Sequence, residues 1–411
     1  MSFSQGLSGL NAASRALDTV GHNIANSQTA GFKAGSVGFA DIFAGAQGMG
    51  VQVAGINQDF SDGGLVGSGR ALDMGITGNG FFRLTDASGQ AFYSRNGQFA
   101  EDKDGNLYNG TNNLFLNGYQ ATGNPLAIQP GSPVGPIKID KSAMLPEAST
   151  TGTLKGNLNS GAEVPTKTPF NPKDPETFNF TSQAEAYDSQ GNKHTIDIYY
   201  IKTADNTWTA KAADSTAPKM VTPEPATGPE VEYVDIPLAF DPSGKLTTAG
   251  TGKLLGAEHN GAAALELDLD LSAMTQVAAD ESSTDSFVLN GQALGKFLNY
   301  VIGESGEVVA NYDNGQKQTL AQVALANFAS VGGLQQNGNN TWIETPQSGN
   351  PIIGAPGTGS LGSVSGNALE NSGVKLDQEM VNMIVYQRNY QSNSQTIKTQ
   401  SELLQTLVNL R

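Results

Sequence analysis

The chain has 411 residues, no cysteine, 50 glycines and a formal net charge of −16. A length of this order exceeds one typical core, so two to four domains are expected, and the missing thiols exclude disulfides, thiol catalysis and cysteine-ligated zinc. Residues 1–40 and 372–411 each carry +1, which leaves −18 for the stretch between them; an acidic body with near-neutral ends argues against nucleic acid or an anionic membrane as partner.

At the front, Phe3, Leu10, Leu17 and Ile24 recur every seven residues, and Leu7 opens a second track continued by Ser14 and Gly21. Such a seam lies along one side of a helix and needs a partner helix to cover it. Ser2 with Gln5 matches a capping box, so the helix is predicted from the front of the chain to about Asn26. His22 falls inside it and is expected as a partly buried polar residue. The opening MSFSQGLSGLNAAS lacks the basic and apolar regions of a cleavable signal, and nowhere do 18 apolar residues run together, so no cleaved leader and no membrane span are expected.

Residues 27–70 are dense in Gly and small side chains without a steady period, which predicts a largely extended, hinge-like connector with short strand pieces. From Ala71 the pattern turns to β. Asp86-Ala-Ser-Gly89, Asp102-Lys-Asp-Gly105, Asp188-Ser-Gln-Gly191 and Asp241-Pro-Ser-Gly244 each place Asp first and Gly fourth between strand-like runs, which predicts type I turns in antiparallel hairpins. Asp313-Asn-Gly315 marks a further turn. Asp102, Asp104 and Asn106 imitate the opening of a calcium loop, yet Leu107 stands where Gly is required and Asn113 where Glu is required, so the turn is preferred. Gly357, Gly359 and Gly362 spell GxGxxG amid Pro351 and Pro356, where a nucleotide site needs a strand and a helix, so a loop is expected.

Between about Leu145 and Asp285, Pro- and Thr-rich stretches border strands such as HTIDIYYI and ALELDLDL, which predicts an inserted domain whose borders lie close together. The C-terminal end is helical again. Leu376, Met383, Tyr390, Ile397 and Leu404 form a heptad flanked by Met380 and Val408. Both seams are thin, with Ser, Gly and Gln beside them, which suits packing against helices of other chains and predicts disorder of the ends in a free monomer. His22, His194 and His259 fall in no catalytic or metal motif, and no enzyme activity, cofactor or metal is expected. A secreted glycan-binding module or glycan-acting enzyme would want exposed aromatic platforms and a carboxylate pair; Trp208 and Trp342 are the two tryptophans, and neither falls in an aromatic run.

The run NIANSQTAGFK, with Asn23, Asn26, Thr29, Gly31, Phe32 and Lys33, resembles the N-terminal signature of the axial rod and hook family of the bacterial flagellum. EMVNMIVYQRNYQSNSQTIKTQSELLQTLVNLR resembles the matching end signature, and ITGNGFFRL the opening of the shared β domain. YDSQGNKHTIDIYY in the insertion and the ending TLVNLR resemble the hook branch; a distal rod subunit, the alternative, generally lacks a large outer domain. The resemblance implies a mixed α and β fold: paired, coiled-coil-like N- and C-terminal helices with mainly antiparallel inner and outer β domains. The divisions are 1–27 with 372–411 as helical inner tube, 28–71 with 359–371 as Gly-rich connector, 72–145 with 286–358 as inner β domain, and 146–285 as outer domain. It further implies export through the flagellar type III apparatus without a cleaved signal, growth under a hook cap into an extracellular homopolymer, and rod and hook–filament junction proteins as neighbours. In such a polymer the seam residues above would be subunit contacts. The nearly uncharged face of the last helix, including Gln391 and Gln395, would line the central channel.

Overall fold

A computed structural model describes residues 3–44, 47–123, 126–129, 131–221 and 230–409; Ser2, the expected cap, and the side chain of Val408 lie outside the described residues. The chain forms two compact units, Met1–Lys141 with Leu298–Asn311 and Lys317–Arg411, and Ser142–Phe297 with Tyr312–Gln316. The second unit is thus wider than the 146–285 expected for the insertion, because the flanking strands and the Asp313–Gly315 turn close onto it.

The first unit opens with helix α1, Phe3–Ala25. Its buried face is Gly6, Ala12, Ala13, Ala16, Thr19, Val20 and Asn23, a track of small residues that permits close approach of neighbouring backbone. Strands β1, Gly35–Ala44, and β2, Gln47–Gln58, pair as a long antiparallel ribbon with two register shifts and pack on α1. Strand β3, Leu65–Gly67, pairs with Ala368–Glu370, and β4, Met74–Thr77, pairs with Ser363–Gly366. The connector expected as largely extended is therefore zipped up. Gly31 sits against the Arg95 backbone and Gly63 against that of Asn371, and the two halves of the chain supply strands to each other.

Helix α2, Leu376–Asn409, packs against α1. A Cβ on Gly6 would meet Ile397 and one on Gly9 would meet Asn393, so numbering rises along one helix as it falls along the other, and the pair is antiparallel. Gly6 and Gly9, small residues beside the larger heptad, permit this intrachain contact.

The larger sheet of this unit runs through Glu307–Tyr312, Lys317–Val323, Phe115–Gln120, Phe81–Thr85, Ala91–Ser94 and Thr341–Ile343 in spatial order, with antiparallel pairings. Its core gathers Phe81, Tyr93, Phe328 and Trp342, with Phe60 against them. Trp342 therefore does lie in an aromatic cluster, contrary to the reading of its neighbours in sequence, and it is buried and donates from Nε1 to Gln58 Oε1 at 2.6 Å.

The second unit stacks two four-stranded sheets. One orders Thr251–Leu255, Glu266–Val277, Thr151–Asn159 and Ser283–Leu289, the other Phe180–Tyr187, Lys193–Ala204, Thr207–Asp214 and Val234–Ala239. Every second residue of Lys193–Ala204 is buried over most of its length, the period-2 pattern of a strand with one face on a core. That core includes Leu154, Ile196, Ile198, Tyr200, Trp208, Leu267 and Leu269. Pairing is antiparallel except between Thr151–Asn159 and Glu266–Val277, which run parallel. Bridges Met144 to Gly295 and Glu147 to Gln292 join the two borders of the unit.

All four Asp-x-x-Gly segments form the same turn. The Gly N–H donates to the Asp carbonyl at 2.9–3.2 Å, and the glycines have φ of 82° to 86°, a region closed to most side chains. In each, Asp Oδ1 also accepts from the backbone N–H groups two and four residues on. The Asp102 carboxylate is thereby committed to its own turn.

Candidate assembly site

The seam residues predicted from the heptads remain largely uncovered. Phe3 and Leu7 are exposed, as are Leu376, Met380, Tyr390 and Leu404, while Leu10, Leu17, Ile24, Met383 and Ile397 are half-buried. The structure adds Val381, Ile384, Val385 and Leu403, with Ile384 57% exposed. These lay off the heptad track and were missed; the spacing 380, 381, 384, 385 marks a second apolar face one turn wide. Gln391 and Gln395 are exposed. Both helices thus use one face inside the chain and leave apolar side chains on others.

The signature run explains itself residue by residue. Asn23 donates from Nδ2 to the Gly35 carbonyl at 2.7 Å and accepts from Gly35 N–H at 2.9 Å, tying α1 to the start of β1. Asn26 Nδ2 donates to His22 O, closing the helix end, and Thr29 Oγ1 donates to Asn26 Oδ1. Gly31 has φ +66°, and a Cβ there would stand 2.4 Å from the Arg95 backbone. Phe32 is buried, with the His22 ring 5.4 Å away; His22 itself is exposed, not partly buried, because α1 has already turned that side away.

Lys33 is 1% exposed and donates to Glu370 Oε1 at 2.7 Å and to Ser61 O at 2.7 Å. Glu370 also accepts from Gly63 N–H at 2.8 Å and from Arg95 Nη1 at 3.2 Å. Burial lowers the Lys33 pKa, and the Arg95 charge adds to that shift, against the opposing pull of Glu370. Neither Arg95 nor Glu370 was singled out from sequence; the one signal was a lysine in a nearly uncharged end, with nothing local to pair it.

Elsewhere, His194 lies buried between Asp214, 2.6 Å from Nδ1, and Asp188, 3.5 Å from Nε2, with the His259 ring 5.4 Å away. Two histidines distant in sequence therefore meet. His194 lies in the packed interior, and His259 is half-buried. Among the described residues no group of three or more His, Cys, Asp or Glu side chains is placed so that it could hold a metal ion, and no helix is long and apolar enough to cross a membrane.

Terminal helices that leave apolar side chains exposed, in a chain otherwise built of mostly antiparallel sheets, are features of the class of structural subunits that associate with others. The chain is 46% identical over the full length of both sequences to flagellar hook protein FlgE of Salmonella typhimurium, and 44% to that of Escherichia coli K12. It belongs to the flagellar hook protein family and is a structural subunit of the flagellar hook, not an enzyme. Family models match along the chain: flagella basal body rod protein at 5–33, flagellar hook protein FlgE/F/G D1 domain at 75–155, flagellar basal body protein FlaE D2 domain at 157–292, and flagellar basal body rod FlgEFG protein C-terminal at 365–410. The solved Helicobacter pylori flagellar hook protein FlgE2 is similar in fold, with a TM-score of 0.55 at 16% identity, covering 74% of this chain and all of that one.

Proposed function

We propose that this subunit assembles through its terminal helices into a curved tube that joins rod to filament and carries motor torque. The observation that carries the reading is the double-faced terminal pair, which packs internally through small residues and leaves Leu7, Met380, Ile384 and Leu404 uncovered. Coiled-coil-like seams between neighbouring copies would cover them. A subunit that offers different faces to successive neighbours makes contacts that do not close, and so grows a helix of copies. In this reading the helices form the inner tube, the inner β domain the middle layer and the insertion the outer surface. Its neighbours are rod and hook–filament junction proteins, with a cap at the growing end. The chain leaves through the type III export apparatus without a cleaved signal and works outside the cell.

The test is negative-stain electron microscopy of concentrated full-length protein beside Met380→Asp/Leu404→Asp. Tubes from the first and dispersed, folded monomers from the second are expected; tubes from both would refute the helical seam. Gln391 and Gln395 are exposed in a stretch, 387–401, whose charges are Arg388 and Lys398 among Asn, Gln, Ser and Thr, and a wet wall of low charge holds a passing chain of either sign weakly. Gln391→Glu with Gln395→Glu is therefore expected to leave hook growth intact and to reduce export of later subunits; export at the wild-type rate would remove these residues from the channel.

A further inference from the structure

The network around Glu370 joins four segments that are far apart in sequence. Lys33 follows the helix-ending loop, Asp62 lies between β2 and β3, Arg95 follows Ala91–Ser94, and Glu370 ends the last strand before α2. Lys33, Arg95 and Glu370 are all nearly inaccessible, whereas the Asp62 side chain is 42% exposed and stands 3.4 Å from Arg95. The two buried cations thus share one buried carboxylate. Glu370 also holds the backbone: its carbonyl accepts from Gly31 N–H at 2.8 Å, and its Oε1 accepts from Gly63 N–H. The flanking strands Ser363–Gly366 and Ala368–Glu370 supply the partners of β4 and β3, and Gly373 N–H donates to Phe32 O.

We propose that residues 363–373 are a closing strap with Glu370 as its catch, so that the signature loop takes up this arrangement only once the C-terminal end of the chain has docked. Without the strap, Lys33 and Arg95 would be desolvated side by side with one half-exposed carboxylate in reach, β3 and β4 would lack partners, and the Gly31 and Gly63 N–H groups would lack acceptors. Removing one member of a buried ionic group leaves an uncompensated charge, which costs far more than the group contributes when whole. The base of α1 and the base of α2 are therefore set by one event. Glu370 acts as a positioning residue for both.

The asymmetry of the charges gives the test. Amide hydrogen exchange is measured by mass spectrometry on full-length monomer for wild type, Glu370→Gln, Lys33→Met and the double variant. Glu370→Gln keeps size and hydrogen-bonding capacity but leaves Lys33 without a carboxylate and Arg95 with only the half-exposed Asp62, so peptides covering 28–36 and 59–67 should lose about 100-fold or more in protection, with the second unit unchanged. Lys33→Met leaves Arg95 paired with Glu370 and should cost much less. Adding Lys33→Met to Glu370→Gln removes one of the stranded cations and should recover about tenfold. If Glu370→Gln unfolds the whole first unit, recovery in the double variant still decides. Wild-type protection in Glu370→Gln, or a double variant no better than Glu370→Gln alone, would overturn the proposal.

Discussion

Four residue positions carry the clearest tests. Gly31 sits at positive φ with the Arg95 backbone where a Cβ would go, so Gly31→Ala should destabilise the first unit by at least about 2 kcal/mol, measured by urea unfolding. Asp86, Asp102 and Asp241 have carboxyl pKa values below the ordinary 3.8, chiefly through side-chain hydrogen bonds from Ser88, Asn106 and Ser243. Because folding lowers these values, the stability they confer is fully present above about pH 4 and is lost as pH falls through the folded values. Carboxyl carbon NMR should place all three midpoints below 3.8, and a midpoint at or above that value would detach the aspartates from the turns. These turns were legible in sequence because everything that makes them lies within five residues. Glu370 was not legible, since its lysine partner is 337 positions away and no local pattern marks a buried carboxylate.

Among the elements, the terminal helices separate what pattern can give from what packing decides. Heptad spacing located both helices and most of the exposed apolar residues, and it assigned the large side chains to contacts between subunits. The contact inside the chain sets Gly6 against Ile397, a member of the heptad, and Gly9 against Asn393; the two glycines are hidden from a search for apolar bulk. A Cβ on Gly9 would lie 2.8 Å from Asn393 Oδ1, so Gly9→Val should force the helices apart at a cost of about 1–3 kcal/mol, seen as faster amide exchange across α1. Ile384→Asp should act in the opposite sense: its side chain is mostly exposed, so monomer stability should change by less than about 0.5 kcal/mol while polymerisation fails. Loss of monomer stability in Ile384→Asp would place that residue in the intrachain contact after all. Glycine in the connectors has a packing role as well: Gly63 lies against the Asn371 backbone and Gly75 against the Leu65 side chain.

On the scale of the whole molecule, charge is divided unevenly. The second unit holds ten lysines, no arginine and twenty-two acidic residues, a net charge of −12 out of −16. Free subunits should therefore repel one another, with a positive second virial coefficient that falls as added salt shortens the screening length from about 30 Å at 0.01 M to about 8 Å at 0.15 M. Light scattering over that range checks it, and a coefficient insensitive to salt would rule out charge as the cause. The bridges that join Met144 to Gly295 and Glu147 to Gln292 carry a separate consequence. A segment entered and left through one narrow two-rung ladder is a cassette: residues 148–291 can be exchanged for another domain, or for a short turn, without changing the distance that the remaining chain must span. The second unit is thus the part of this protein on which new surfaces can be tried while the two ends stay as they are.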